Sequence, residues 1–448
     1  MWTLLLLATL AQAPALPGGA PPEDAPDEEA PGEDPSAVVP PLPVAVLPPA
    51  THELFERIKR RVAQVRIIER RSGSKSSIGS AFFVDADGHA VTNYHVISSI
   101  VNQPEDYTVE LMREGPDAQA VPVRVVDVDV VHDLAVIQQL TPVKDWFELA
   151  ATEPPQGTRL YAMGNPHDLG TTIVEGTYNG LVQDALYDKV HFSGAINPGM
   201  SGGPTVTIEG RVVGVNVATL GNQLGFLVPL EHARALVARA REKKESDPAA
   251  LLAMVGQQLL DNQQRITERL LATPLKTQSL GGYGVPSRWL PFLKCWGDTP
   301  LEPENPYTVT RYQCSSEEDI FLSGEHRTGV VTYDHAFVSS DELGALRFAA
   351  LYSATFGDDS GGVDATKADV TNFRCQTHFV QVGSLPVRVA LCLRAYKKLP
   401  GLYDLALRAA TNNASTSGVQ TSLDLAGFSA DNARALARRY LEAFTWTK

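Results

Sequence analysis

Three short strings in this 448-residue chain carry side chains suited to nucleophilic displacement at an acyl carbon. Thr92-Asn93-Tyr94-His95-Val96 closes an apolar strand with an imidazole. His132-Asp133-Leu134-Ala135-Val136-Ile137 sets a carboxylate at the head of another strand. Asn197-Pro198-Gly199-Met200-Ser201-Gly202-Gly203-Pro204 holds a hydroxyl in a glycine-rich turn. A serine hydroxyl is a weak nucleophile until a neighbouring imidazole can take its proton. The imidazole in turn needs a carboxylate on its far nitrogen, to fix its tautomer and stabilise its charged form. His95, Asp133 and Ser201 are therefore the expected catalytic set. The glycines let the backbone turn so that the N–H groups of Gly199 and Ser201 can converge on a developing oxyanion.

Residues 62–228 supply the elements that would hold these groups. They read as about a dozen short strands of β-branched and apolar residues, among them SAFFVD, HAVTNYHV, VPVRVVDVDVV, LAVIQQL, RVVGVNVA and LGFLVPL. Such spacing points to a barrel or sandwich and away from a parallel α/β sheet. Residues 52–63 read as a short helix running into the first strand. Residues 230–245 and 247–273 read as helices, the second with Leu252, Val255, Leu259, Ile266 and Leu270 in one stripe that packs on the protein itself. Further strand-like runs follow, and a helix over 430–445 closes the chain.

The strings GSAFFVDADGHAVTNYHVI, DLAVI, MGNP and SGAINPGMSGGPTV, with GVNVAT and GFLVPLE after them, resemble the trypsin-fold serine proteases, in particular the bacterial HtrA-like branch. The His–Asp–Ser order is that of the chymotrypsin-like enzymes. The resemblance covers about residues 60–235. It implies a mainly β fold with a chymotrypsin-like double barrel, His95 and Asp133 on the first barrel and Ser201 on the second. It also implies peptide-bond hydrolysis through an acyl-enzyme, protein or peptide substrates, no cofactor and no metal. By the same pattern Ala195, Gly214 and Asn216 would line the S1 pocket. With no acid at Ala195, a basic substrate side chain would be left unpaired, so small or medium apolar side chains are expected. Two departures stand out. Met200 replaces the polar residue usual before the nucleophile, so activation by an inserted N-terminal amine is not expected. No PDZ-like domain follows the barrel pair.

The net charge is −14, and residues 1–50 hold seven acids and no Lys or Arg, so half the imbalance sits in one segment. That net charge argues against a nucleic-acid partner, while the mild acidity elsewhere carries no strong implication for partners. Residues 1–15 read as a signal peptide and 16–50 as a Pro-rich acidic linker. An exported, periplasmic or extracellular location follows, without stable membrane insertion. The remaining division reads as a protease domain over 51–245, a helical connector over 246–276, and an α+β domain rich in antiparallel strands over 277–448. All four cysteines (Cys295, Cys314, Cys375 and Cys392) lie in that last part. In an exported chain they suggest disulfides, with three pairings open. Oligomeric state is also left open. Gly357-Asp358-Asp359-Ser360-Gly361-Gly362 imitates a nucleophile turn but lacks the following proline and strand, and reads as a polar turn. His132 reads as a bystander. The alternative function is a barrel kept as scaffold for a C-terminal binding or envelope-interaction domain.

Overall fold

The β-branched runs pair through tight turns into two closed barrels. The structure is a computed structural model, and it describes residues 49–114, 119–219, 224–243, 247–300, 304–356 and 365–446. The segments read as signal peptide and linker lie outside them up to residue 48, as does the Gly357–Gly362 string. Helix α1 (Pro49–Ile58) leads into β1 (Val62–Glu69), β2 (Ser74–Phe83), β3 (His89–Thr92), β4 (Tyr107–Met112), β5 (Ala120–Asp129) and β6 (Leu134–Gln139). These close in the order β1-β2-β3-β6-β5-β4. The second barrel holds β7 (Arg159–Gly164), β8 (Thr172–Leu181), β9 (Val190–Phe192), β10 (Pro204–Val206), β11 (Val212–Thr219) and β12 (Gly225–Pro229), in the order β10-β11-β12-β9-β8-β7.

Strand periodicity explains the dense apolar runs. In β2, Ala81 and Phe83 belong to one core, while Phe82, with Val84 just beyond, belongs to another. From Gly79 to Phe83 both faces are buried, so this half of the strand does not alternate as half-buried strands do.

One expectation is corrected at His95. It does not close a strand, because the chain leaves β3 at Thr92 and turns into helix α2 (Tyr94–Asn102). Val96, Ile97 and Val101 are buried on the inner side of that helix. Helix α3 (Leu230–Arg241) returns over the first barrel, where Arg239 Nε meets the fully buried Asp127 Oδ2 at 2.7 Å. Helix α4 (Pro248–Ala272) starts at Asp247, whose carboxylate accepts from the Ala249 N–H, with Pro248 in the first turn. Its stripe runs through Leu251, Val255, Leu259, Ile266 and Leu270, with Leu251 buried more fully than Leu252.

Beyond α4, β13 (Thr277–Leu280) and β14 (Tyr283–Pro286) form a hairpin. The main sheet takes β15 (Lys294–Asp298) and β16 (Thr308–Ser315). After the small hairpin β17 (Ile320–Ser323) and β18 (His326–Thr328), it continues through β19 (Val331–Ser339), β20 (Arg374–Val382), β21 (Leu385–Ala395), β22 (Tyr403–Thr411) and β23 (Ser417–Phe428). The sheet is antiparallel and seven-stranded, in the order β15-β16-β19-β23-β22-β21-β20. Helix α5 (Ala345–Thr355) follows β19. Helix α6 (Ala430–Glu442) buries Ala433, Leu436, Ala437 and Tyr440 at helical spacing. It ends before the expected residue 445, because β24 (Thr445–Trp446) pairs with β14 and Trp446 packs on Tyr283.

Disulfides join Cys295 to Cys314 and Cys375 to Cys392. Each bridges residues directly opposite in register, one pair on β15 and β16, the other on β20 and β21. Both edges of the seven-stranded sheet are thus stapled to their neighbours. The cores do not stop at the barrels. One cluster combines Val65, Ile67 and Phe83 of the first barrel with Leu251, Val255 and Leu259 of α4 and with Ile320 and Leu322 of β17. Among the described residues no helix is long and apolar enough to cross a membrane.

Candidate active site

Asp133 organises its surroundings with both main chain and side chain. Its backbone is left-handed, φ 55°, a conformation that aspartate tolerates better than most residues. The turn aims its carbonyl at the start of α2, where Tyr94 N donates at 3.2 Å and Asn93 Nδ2 at 2.7 Å. Its carboxylate takes the next two donors. Oδ1 accepts from His95 N at 2.8 Å, and Oδ2 lies 2.6 Å from His95 Nδ1. Nδ1 must carry the proton in that bond, so Nε2 is left as the acceptor. Burial pulls the His95 pKa down, but the charge and hydrogen bond of Asp133 outweigh it and raise the value above the usual one, with Arg327 opposing. The imidazole side chain remains 30% exposed.

Ser201 comes from the second barrel's glycine turn, just before β10. Its Oγ donates to Val217 O at 3.3 Å, and no hydrogen bond joins it to the His95 ring among the described residues. In sites without substrate, such bonds are commonly long and form only when the reactant is seated.

The turn leaves two backbone donors free. Met200 N donates to Asn197 O at 2.9 Å and Gly203 N to Met200 O at 3.0 Å, while the N–H groups of Gly199 and Ser201 reach no acceptor among the described residues. Gly199 has φ 95°, and a Cβ there would collide with the Asn165 carbonyl oxygen, so only glycine fits. The Met200 side chain, which gave no hint of how the turn is held, is fully buried in the barrel core and anchors the turn by packing. The other anchor is Ser80 on β2, which sequence reading passed over. Its Oγ donates to Gly199 O at 2.7 Å and accepts from Asn165 N at 2.9 Å, and its own N–H donates to Ser201 O at 2.8 Å.

The three pocket residues are placed differently from one another. Ala195 is exposed, and Gly214 is buried in β11. Asn216 is fully buried and spends its side chain internally, accepting from Thr205 Oγ1 at 2.6 Å and donating to Met163 O at 2.8 Å and Met200 O at 3.2 Å. That side chain braces the turn rather than lining a pocket. His132, next to Asp133, faces elsewhere: its Nδ1 meets Asp129 Oδ2 at 2.8 Å and its ring stacks on His232, centroids 3.6 Å apart.

A residue from far along the chain also reaches the site. Phe321 of β17 stands edge-on to His95, ring centroids 6.0 Å apart at 70°. Nothing in the sequence marks it.

The model of the trypsin-like peptidase domain matches residues 79–215, a span that starts just before Ser80 and contains all three catalytic candidates. Curated relatives include a probable periplasmic serine endoprotease DegP-like of Bartonella henselae, 33% identical over 178 residues, or 37% of this chain and 34% of the relative. The one of Chlamydia pneumoniae is 31% identical over 165 residues, 36% of this chain and 32% of its own. The chain thus spans about a third of the length of the curated relatives it matches. The solved structure of Deg5 is 26% identical with a TM-score of 0.37, covering 42% of this chain and 91% of that one. The matched span covers the serine turn and most of both barrels, from within β2 to within β11. The seven-stranded sheet lies outside the matched span.

Proposed function

We propose that this chain is a serine endopeptidase acting on protein or peptide substrates. The observation that carries the reading is the 2.6 Å contact of His95 Nδ1 with Asp133, which leaves Nε2 as the base on the imidazole of a peptidase domain. Ser201 Oγ attacks the scissile carbonyl carbon while its proton passes to His95 Nε2, and Asp133 stabilises the imidazolium. The oxyanion receives the unpaired N–H groups of Gly199 and Ser201. His95 then protonates the departing amine, and water, deprotonated by the same nitrogen, releases the acyl group.

The exposed methyl of Ala195 supports substrates with small or medium apolar side chains before the scissile bond, since no carboxylate there would pair a basic one. Export to the periplasm or beyond fits two disulfides and relatives named periplasmic. We assign the protease domain to 51–245, the connector to 246–276 and an associated sheet domain to 277–448. A fluorophosphonate probe tests the reading. The wild type should label and Ser201→Ala should not, with turnover lower by about 10⁶ in the variant. An unlabelled wild type that cleaves no casein or peptide library would end it.

A further inference from the structure

The hairpin β17–β18 belongs by sequence to the sheet region, yet it is built into the peptidase domain. Ile320 and Leu322 are both 2% exposed and share a core with Val96 and Val101 of α2. Asn102 Nδ2 donates to Leu322 O at 3.2 Å. The loop before β9 holds the other side. Glu318 Oε2 accepts from Leu186 N at 2.5 Å and Tyr187 N at 3.2 Å, and the Tyr187 hydroxyl donates to Gly329 O at 3.1 Å. The hairpin is therefore tied to α2 of the first barrel and to a loop of the second. Lifting it would strip two buried aliphatic side chains and break several part-buried hydrogen bonds and a buried one at once, so it is a fixed part of the site.

Strand alternation decides what the hairpin shows to the histidine. With Ile320 and Leu322 turned inward, Phe321 projects from the opposite face, where its ring meets His95. The Arg327 guanidinium lies over the same ring, 4.3 Å from its centroid, and pairs with Asp319 at 3.5 Å. Ring and guanidinium hold each other in place.

We propose that this hairpin is a wall of the substrate cleft and that Phe321 is a specificity-determining residue, admitting only small side chains (glycine, alanine or serine) at the substrate position beside His95. This rests on the endopeptidase reading. A peptide poised for attack by Ser201 must come within proton-transfer reach of His95, and whatever lies on the Phe321 side of the imidazole meets a clamped aromatic edge. Removing the ring opens that position while the nucleophile, the base and the oxyanion donors are all retained.

The test is peptide-library cleavage by the full chain, wild type against Phe321→Ala, with fluorophosphonate labelling in parallel. In the variant, one subsite should broaden. Leucine- or phenylalanine-containing substrates should gain at least about tenfold in kcat/KM relative to alanine at that position, the scale of discrimination by apolar volume. Phe321→Trp keeps an aromatic ring in the stack and should narrow the same subsite, which guards against an alanine variant that folds poorly. Labelled, active variants with the wild-type profile at every subsite would overturn the inference while leaving the endopeptidase reading intact. A wild type that neither labels nor cleaves would overturn both.

Discussion

The Ser80 hydroxyl donates to the carbonyl of Gly199 across 2.7 Å, joining a strand of the first barrel to the turn that carries the proposed nucleophile in the second. The same oxygen accepts from Asn165 N, so it fixes two backbones at once. With its carbonyl held there, the Gly199 peptide N–H on the turn stays free for substrate. Ser80→Ala removes the clamp and leaves a buried N–H and a buried C=O without their partner, at a cost of about 1–3 kcal/mol. We expect kcat to fall by about tenfold to a hundredfold with little change in KM, because a loosened oxyanion donor is missed chiefly in the transition state. Steady-state kinetics on a peptide substrate, with thermal melting as control, checks it. An unchanged kcat in a destabilised variant would show the clamp to be structural only.

On the proposed mechanism activity requires His95 neutral, so its pKa would set the acid limb of the pH profile. Asp133 raises that value despite burial, which places the limb above the ordinary imidazole value of about 6.5. Arg327 acts the other way, since a nearby cation disfavours imidazolium. Arg327→Gln should therefore move the limb of kcat/KM upward in pH, and Asp133→Asn should cut kcat by about 10⁴ through the wrong tautomer. A limb in Arg327→Gln that stays put or moves down contradicts the electrostatic account.

The catalytic candidates were legible because nucleophile, base and acid each need a particular residue type in a particular local setting, and glycine around Ser201 is demanded by backbone geometry at Gly199. The barrels were legible for a related reason: doubly buried strands leave dense β-branched runs. Ser80 was not, since a serine inside a strand looks like any other, and its importance comes from a turn 119 residues away. Asn216 was only half legible for the same cause. Its position near Ser201 was readable, but its orientation depends on Met163 and Met200 carbonyls that only the fold brings close. The hairpin at Phe321 lay further out of reach, held to α2 by contacts between residues 220 apart. Disulfide pairing became determinate only with strand register.

That register makes the two bridges unequal. Along β20, residues Arg374–Phe379 are all exposed, and the strand forms the sheet's outer edge. It is held by its ladder to β21 and by Cys375–Cys392, which closes a loop with a sequence separation of 17. Such a crosslink contributes roughly 3 kcal/mol by the chain-entropy model. Cys375→Ser with Cys392→Ser should speed amide exchange across Arg374–Val382 well beyond the rest of the sheet, while peptidase activity persists. In contrast, Cys314 is fully buried, opposite Tyr333 in register and in the same core, so losing Cys295–Cys314 should lower global stability. Equal exchange in β20 with and without its bridge would refute the assignment of the edge staple.

A buried histidine in the sheet region provides a separate acid-sensitive element. His335 of β19 is fully buried, with Nε2 2.9 Å from Pro286 O, an atom that can only accept, and Nδ1 2.9 Å from Thr421 Oγ1. Nε2 therefore carries the proton of the neutral ring, and Nδ1 lies beside the Thr421 hydroxyl, which itself donates to Asp334 O at 2.8 Å. Burial pushes the His335 pKa down to about 3, against a smaller upward pull from Pro286. In the unfolded chain it titrates near about 6.5. Between those values the unfolded state binds the extra proton. The contribution of neutral His335 to stability is thus intact above the upper value and falls with acidification, by about 1.4 kcal/mol per pH unit towards the lower one. His335→Gln keeps hydrogen-bonding capacity without a titrating ring. It should be less stable than wild type at pH 7, with the gap narrowing steadily by pH 4 in urea denaturation of the full chain. A gap that is the same at both pH values would mean that this histidine does not govern the acid lability of the sheet.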